Sequence, residues 1–436
     1  MKMNSYLGVI NNLLSGNYIS PFSKKIISLP IEEIVIERSI ENLNFNFTSK
    51  LINKKNLVIS GESSFRAFGD KVLKSLKYNN LDFDINILKK YDSTHNFATS
   101  LSQSSKEYEN IIVVGSGALI DLCKFVSFYN NQNLIVFCSS LSAAATTSTV
   151  SLTRNGLKES VKSNIPQAII IDLENLKLAP HRLLRSALGD VLCRSTCQID
   201  WLTSHLFLNT EYDETPFALQ YEDEDFLLNN SDKLLSGDYE TLAALSRMTL
   251  LNGIAAIIIG STHAGSMGEH LISHYIDMFM GDNHPGTLHG EQVGVTTLFI
   301  SKIQNQIINY VENLEFKKID ITESSFQKLF NDKVSAKMYR QFQNKYFDDE
   351  KLINMNNLLK KKWPEHKLTL KKYLLPTERI EKALKNCGAP TNNSELGIPN
   401  NFFNRAIQDS FLLRDRFSYL DVALYTMTLS NYLIND

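Results

Sequence analysis

Between residues 31 and 173 the chain repeats one pattern. Short β-branched runs, IEEIVIE (31–37), NLVISG (56–61), LDFDINIL (81–88), NIIVVGSG (110–117), NLIVFCSS (133–140) and QAIIIDL (167–173), alternate with stretches of helical period such as SSFRAFGDKVLKSL and ALIDLCKFVSFY. Strands separated by helices pair in parallel, so this half reads as an α/β sheet domain. The runs around Ile111 and Ile169 are apolar throughout, as strands covered on both faces are. After Ala179 strand signals nearly vanish. HRLLRSALGDVLCRSTCQIDWLTSHLF, ETLAALSRMTLLNGIAAIII, GEHLISHYIDMF and HGEQVGVTTLFISKIQNQI all carry helical period. Pro180 stands at the change, where it can open a helix. Two domains are expected: α/β over 1–178 and all-helical over 179–436.

With 436 residues the chain exceeds what one core usually serves, which agrees with two domains. Its 45 basic and 47 acidic residues leave a net charge of −2, and no basic excess points to nucleic acid or an anionic membrane surface. The apolar run IAAIIIG (254–260) falls short of the roughly 20 residues a membrane span needs. The first residues, MKMNSYLGVINNLL, lack an apolar core followed by a cleavage site, so a cytoplasmic location is expected. Five cysteines make no disulfide framework. Cys193 and Cys197 are four apart, but no second pair follows at zinc-ribbon spacing, so buried reduced thiols are expected. The charged stretch 318–376 reads as solvated helices.

Two motifs carry chemistry. Gly115-Ser116-Gly117 follows a strong strand and opens a helix, the setting of a phosphate cradle in which backbone amides approach the ligand. It lacks the third glycine of G-x-G-x-x-G, and a plain strand-to-helix turn, with Asp121 an exposed first-turn acid, is the alternative. The second motif is GEHLISHYIDMFMGDNHPGTLHGEQVG. His270 and His274 share one helix face, and His289 opens the next helix. Histidines on two adjacent helices can meet on one metal ion, and Asp190 in SALGDVLCRS is the best carboxylate to join them. Satisfied core histidines are the alternative. Glu269 and Glu291 then support ligands or helix ends, and His263 and His284 read as loop residues.

Taken together, these pieces resemble the sn-glycerol-1-phosphate dehydrogenases, within the superfamily of 3-dehydroquinate synthase, glycerol dehydrogenase and iron-containing alcohol dehydrogenases. VVGSGALIDLCKF is similar to that family's V-G-S-G-T-I-N-D loop, SALGDVLCRSTCQIDW to its G-D-x-x-x-x-x-T-A-x-x-D-W helix, and GEHLISHYIDM with LHGEQVG to S-E-H-x-x-S-H-Y-W-E-M with H-G-x-x-V-G. LPIEEIVI and LRDRFSYLD add to it. The resemblance implies a Rossmann-like dinucleotide domain followed by an all-helical metal domain, the dehydroquinate synthase-like fold. It implies metal ligands Asp190, His270 and His289, with His274 near the substrate. NAD or NADP would lie on Gly115, Ser116, Gly117 and Asp121, and on the hydroxyls of Ser139, Ser140, Ser142, Thr146 and Ser148. Iron-dependent relatives carry a further histidine where this chain has Arg194, so zinc is expected ahead of iron or nickel.

The chain departs from the family pattern in places. Ala144 and Ala145 stand where an Asp-Gly pair is expected, and Met267 where a glycine is. Gly61 occupies the place of the acid that binds the adenosine ribose, with Glu62 beside it, which leaves NAD and NADP both open. Arg414, Arg416, Lys162 and His274 are candidates for a substrate phosphate. The function implied is a metal-dependent, NAD(P)H-linked oxidoreductase. It would reduce dihydroxyacetone phosphate, or a similar short phosphorylated ketone, by hydride transfer in the cleft between the domains, in a homo-oligomer, and serve phospholipid or surface-polymer synthesis. A cyclase resembling 3-dehydroquinate synthase or inosose synthase is the second reading. GEHLISH and Asp190 both argue against it. A non-catalytic homologue that binds nucleotide and metal is the third.

Overall fold

The computed structural model describes residues 6–147, 149–154, 157–330 and 332–434. The six runs become six parallel strands: β1 (Glu33–Glu37), β2 (Asn56–Gly61), β3 (Asp84–Leu88), β4 (Asn110–Gly115), β5 (Asn133–Cys138) and β6 (Ala168–Asp172). They form one sheet in the order β1-β6-β5-β4-β2-β3. Helices α1 (Asp70–Tyr78), α2 (His95–Ser105) and α3 (Gly117–Tyr129) lie between strands in the chain. Strands β4 and β6 are buried along their whole length, which is why they carry no polar alternation. Edge strand β3 leaves Ile85 and Ile87 exposed. At the start of the sheet Asn133 donates to Asn110 and Asn110 to Asn56, each at 2.8 Å. This side-chain ladder pins the register of β2, β4 and β5, so their far ends stop level with one another at Gly61, Gly115 and Cys138.

Two antiparallel hairpins, Tyr18–Ile19 with Ile26–Ile27 and Thr149–Arg154 with Leu157–Lys162, add strands that the sequence pattern does not announce. After residue 179 the described residues contain no strand. The principal helices there are α4 (His181–Val191), α5 (Arg194–Leu208), α6 (Thr215–Asn230), α7 (Tyr239–Ile259), α8 (Gly268–Phe279) and α9 (His289–Tyr310).

The chain divides into two compact units, one made of 1–187 and 218–262, the other of 188–217 and 263–436. The sequence reading drew a single boundary after residue 178, whereas the backbone here crosses between units three times. The segment 218–262 groups with the sheet because of α7. Its Leu250 carbonyl accepts a hydrogen bond from Thr146 Oγ1 at 2.9 Å. Gly253 lets the two backbones touch, since a Cβ there would lie 2.6 Å from the Ala143 carbonyl oxygen. A helical period shows that a face is buried but not against which core. By length and composition α7 is apolar enough to cross a membrane, with mean hydropathy 1.8, yet 72% of its apolar window is buried inside the protein.

The first core gathers Ile112, Val114, Ile135, Phe137 and Ile170 of the sheet with Phe45, Phe47, Val72 and Leu76. The second gathers Ile199, Ile272, Ile276, Ile300 and Ile303 of α5, α8 and α9 with Phe316, Trp363 and Tyr419. The Lys-rich helix Asp349–Lys371 joins that core through Met355, Leu359, Trp363 and Leu370 and leaves its charges outside. All five cysteines are buried and none is in a disulfide.

Candidate metal and nucleotide sites

In the second unit Asp190, His270 and His289 converge. Asp190 Oδ1 lies 3.6 Å from His270 Nε2 and 3.9 Å from His289 Nε2, and the ligand-type atoms of all three lie within 4.8 Å of one another. Ligands bonded tetrahedrally to zinc at 2.0–2.1 Å stand roughly 3.3–3.4 Å apart, so small side-chain rotations close this set on a cation. The histidines are held with the correct nitrogen inward. His270 Nδ1 donates to Glu269 Oε1 at 2.9 Å, which leaves Nε2 as the nitrogen on the side of Asp190. Ser273 Oγ donates to Gln292 Oε1 at 2.7 Å and so accepts from His289 Nδ1 at 3.2 Å, with the same consequence for His289. Gln292 in turn donates to Asp277 at 3.1 Å and packs against His284 Nε2 at 3.0 Å. His284, a loop residue by sequence, is thus part of the brace behind His289. Ser273 and Gln292 escaped the sequence reading because their partners lie on a different helix.

Electrostatics agree with a cation site. Burial opposes the charge on Asp190, but the bond from His270 and the positive charges of His289 and His270 outweigh it and hold the carboxyl below its ordinary range. Burial also opposes charge on His270. Its bonds to Asp190 and Glu269 prevail, and without a metal its pKa is pushed up to about 10. Glu269 is anchored by the Met267 amide at 2.7 Å and by Cys197 Sγ at 3.1 Å. Burial drives the Cys197 thiol well above its usual value, so it acts as a neutral donor. His274 lies on the same side of α8 as His270. Its ring is 6.0 Å from that of His270 and 5.9 Å from that of His289, nearly parallel to the latter.

The helices that carry the cluster come together through glycines. A Cβ on Gly189 would lie 2.2 Å from the Gly290 carbonyl oxygen and 3.3 Å from Gly294 Cα. The neighbours of these glycines are Asp190 and His289, so bare backbone contact between α4 and α9 is what brings those side chains into reach. Asp200 fixes the start of α8. This buried carboxylate accepts from the Gly268 amide at 3.1 Å, the Tyr419 amide at 3.0 Å and Gln304 Nε2 at 2.9 Å. Met267, where a glycine is expected, has φ −129°, outside the left-handed region that would demand a glycine. Arg194 points away from the cluster, its guanidinium donating to the Phe217 carbonyl at 3.1 and 3.3 Å and to Gln198 at 3.2 Å. Glu291 closes the first turn of α9 by accepting from the Leu288 amide at 2.7 Å. His263 stacks on Trp201, and burial together with the Arg416 charge lowers its pKa to about 4. Arg416 donates to the Ser266 carbonyl, whereas Arg414 and Lys162 are exposed.

In the first unit β4 ends at Gly115 and α3 begins at Gly117, with extended Ser116 as its cap residue. The Ser116 side chain makes no bond to the first-turn amides, which leaves them to a ligand or solvent. A Cβ on Gly117 would lie 2.7 Å from Ser142 Oγ. The glycine loop and the serine loop after β5 are therefore in contact. Ser139 donates its amide to the Gly115 carbonyl at 2.8 Å and its hydroxyl to Ser64 at 3.2 Å. Ser140 is buried, and Ser142 Oγ accepts from the Ala144 amide at 3.3 Å. Thr146 is also buried, and its hydroxyl is taken up by the α7 carbonyl of Leu250. Ser148 lies outside the described residues. Asp121 is no exposed acid, since its Oδ1 is buried without a hydrogen-bond partner.

Comparison with known proteins agrees with this picture. The family of iron-containing alcohol dehydrogenases matches residues 35–180. Among solved structures, glycerol dehydrogenase from Schizosaccharomyces pombe superposes with a TM-score of 0.61 at 18% identity, covering 94% of this chain and 92% of that one. A probable glycerol dehydrogenase from Sinorhizobium meliloti gives 0.60 at 15%, covering 92% and 97%. The fold is therefore that of these solved dehydrogenases. Within it, the sequence is similar to glycerol-1-phosphate dehydrogenases of the NAD(P)+ type. The protein of Halalkalibacterium halodurans is 23% identical over 387 residues, 86% of this chain and 88% of that one. The protein of Thermococcus kodakarensis is 32% identical over 192 residues, 44% of this chain and 54% of that one. The resemblance read from the motifs is borne out.

Proposed function

We propose that this chain is a metal-dependent, NAD(P)H-linked oxidoreductase that reduces dihydroxyacetone phosphate, or a similar short phosphorylated ketone, to the secondary alcohol. The observation that carries the reading is the meeting of Asp190 Oδ1 with two histidine Nε2 atoms whose opposite nitrogens are already committed to Glu269 and Ser273. The names of the similar proteins support the activity. Asp190, His270 and His289 hold the cation, and three nitrogen and oxygen donors leave a coordination position for substrate. Arg194 is committed elsewhere, which favours the three-donor set and zinc over iron. When bound, the cation polarises the carbonyl oxygen and the reduced nicotinamide supplies the hydride.

The chain's own residues do the rest. Glu269 and Ser273 keep the ligand rings in one orientation, so no reorganisation is needed when substrate arrives. His274, partly exposed beside both ligand histidines, is placed to hydrogen-bond the substrate and pass a proton to its oxygen. Arg416 offers a guanidinium for the phosphate. Gly115, Ser116 and Gly117 present the first-turn amides of α3 to the dinucleotide pyrophosphate.

The test is one experiment. The chain is purified without chelator, its zinc, iron and nickel are quantified, and NADH and NADPH absorbance is followed with dihydroxyacetone phosphate. About one metal per chain with loss of absorbance is expected. Metal without net oxidation on any short phosphorylated ketone would overturn the reading in favour of a cofactor-recycling cyclase or a binding protein.

A further inference from the structure

We propose that a cationic hollow formed by Arg66, Lys89 and Lys90 binds the 2′-phosphate of an adenosine, which makes NADP(H) rather than NAD(H) the dinucleotide of this chain. The inference rests on the reading that Gly115–Gly117 holds the dinucleotide phosphates.

The register of the sheet fixes where the adenosine goes. Strand β2 pairs with β4 through Ser60 and Val114, and with β3 through Gly61 and Leu88. Neighbouring strands are about 4.8 Å apart, so from the Gly115 loop the next strand end is Gly61 and the one beyond, about 10 Å away, is Leu88. Ligands of parallel sheets lie over these carboxyl ends. An adenosine leaving the glycine loop in that direction sets its ribose over Gly61 and the ribose 2′ substituent between β2 and β3. A hollow of about 450 Å³ opens there, lined by Ser63, Arg66, Lys89, Lys90 and Tyr91 with Glu62.

Charge makes the hollow unusual. Elsewhere around this sheet several lysines are paired: Lys50 with Glu32, Lys54 with Glu109, Lys71 with Asp172 and Glu174. Among the described residues Arg66, Lys89 and Lys90 have no ion-pair partner, and they share one hollow with a single carboxylate. Three like charges gathered together repel one another, and a dianion placed among them relieves that repulsion. Arg66 adds planar donors suited to a phosphate, and the Ser63 hydroxyl adds another.

The position that excludes NADP in other dinucleotide folds also carries no acid here. An acidic side chain at the end of β2 would hold the ribose hydroxyls and repel a 2′-phosphate. This chain has Gly61, and a Cβ there would lie 2.9 Å from Tyr91 Cε1. The Tyr91 ring occupies the space such a side chain would enter, so the glycine belongs to the packing of the hollow. Glu62 is the sole remaining acid, outnumbered by the cations.

Binding of fragments tests this without turnover. The full chain as purified is titrated by calorimetry with 2′,5′-ADP and with 5′-AMP, then with NADP+ and NAD+. The 2′-phosphorylated member of each pair is expected to bind at least tenfold more tightly at low salt, with a gap that narrows at 0.5 M salt. Arg66→Gln, and separately Lys89→Gln with Lys90→Gln, are expected to weaken 2′,5′-ADP on the order of tenfold while moving 5′-AMP less than twofold. All three residues are exposed, so folding is not at stake. Equal affinity within each pair, tighter NAD+, or equal losses for both fragments in the variants would overturn the inference and leave the nucleotide reading standing. Failure of all four molecules to bind would overturn both.

Discussion

At the scale of single residues, Asp121 and Lys124 of α3 show how the loop after β5 is held without the Asp-Gly pair of the family pattern. Lys124 is buried, and its ammonium donates to the Ala144 carbonyl at 2.7 Å, the Thr147 carbonyl at 2.5 Å and the Thr147 hydroxyl at 2.7 Å. All three of its hydrogens are used on the segment that contains Ala144. Asp121 is less well served. Burial pushes its pKa up to about 7, against the Lys124 charge and the Ser151 amide, while burial pushes Lys124 down to about 8, against the charge of Asp121. A carboxyl raised in the folded state favours folding when protonated. Its contribution is complete below the ordinary value of 3.8 and is lost as pH rises through about 7. Asp121→Asn removes that loss. The variant is expected to match the parent in thermal stability near pH 4 and to exceed it near pH 8, with the gap opening between. A gap that is the same at both pH values, read from denaturant curves, would show that the buried oxygen is not the source.

At the scale of elements, the contact of α4 with α9 decides whether Asp190 and His289 meet, and with them the proposed metal site. Gly189 and Gly294 let the backbones touch, and every larger residue at 189 must push the helices apart against backbone, which cannot yield as a side chain can. Gly189→Ala is expected to lower zinc affinity on the order of tenfold to a hundredfold, by separating Asp190 from His289, and to cost about 1–3 kcal/mol of stability. Zinc bound as tightly as in the parent would mean that α4 and α9 can adjust without moving the ligands. None of this closeness is legible in the sequence. The strands were, because β4 and β6 are apolar on both faces and strand patterns are local. His270 and His289 were, because three histidines within twenty or so residues announce themselves. Asp190 was picked as the best carboxylate on an earlier helix and again through the family resemblance, whereas Ser273, Gln292 and Asp200 stayed hidden because each acts on a residue far away in the chain. The placing of α7 with the sheet was equally invisible, since its contact with Thr146 joins residues 104 apart.

At the scale of the whole molecule, the two chemical sites are built from separate parts of the chain. Asp190, His270 and His289 all belong to the unit made of 188–217 and 263–436, while the glycine loop, the serine loop and the cationic hollow all belong to the unit made of 1–187 and 218–262. Each unit has its own core, so loss of a ligand in one is expected to leave the folding of the other intact. His289→Ala is the suitable probe because its side chain is 42% exposed, so its removal opens no deep cavity. It takes away one of three donors, and zinc at micromolar concentration should no longer raise the melting temperature. Added 2′,5′-ADP should still raise it, because a ligand at a hundredfold its dissociation constant stabilises the state it binds by about 2.7 kcal/mol whatever happens at a separate site. Metal content and two melting series on one variant decide the matter. Zinc retained at one equivalent would remove His289 from the ligand set. A nucleotide shift lost together with the zinc shift would show that the two units do not bind independently, and that metal must be in place before the dinucleotide is held.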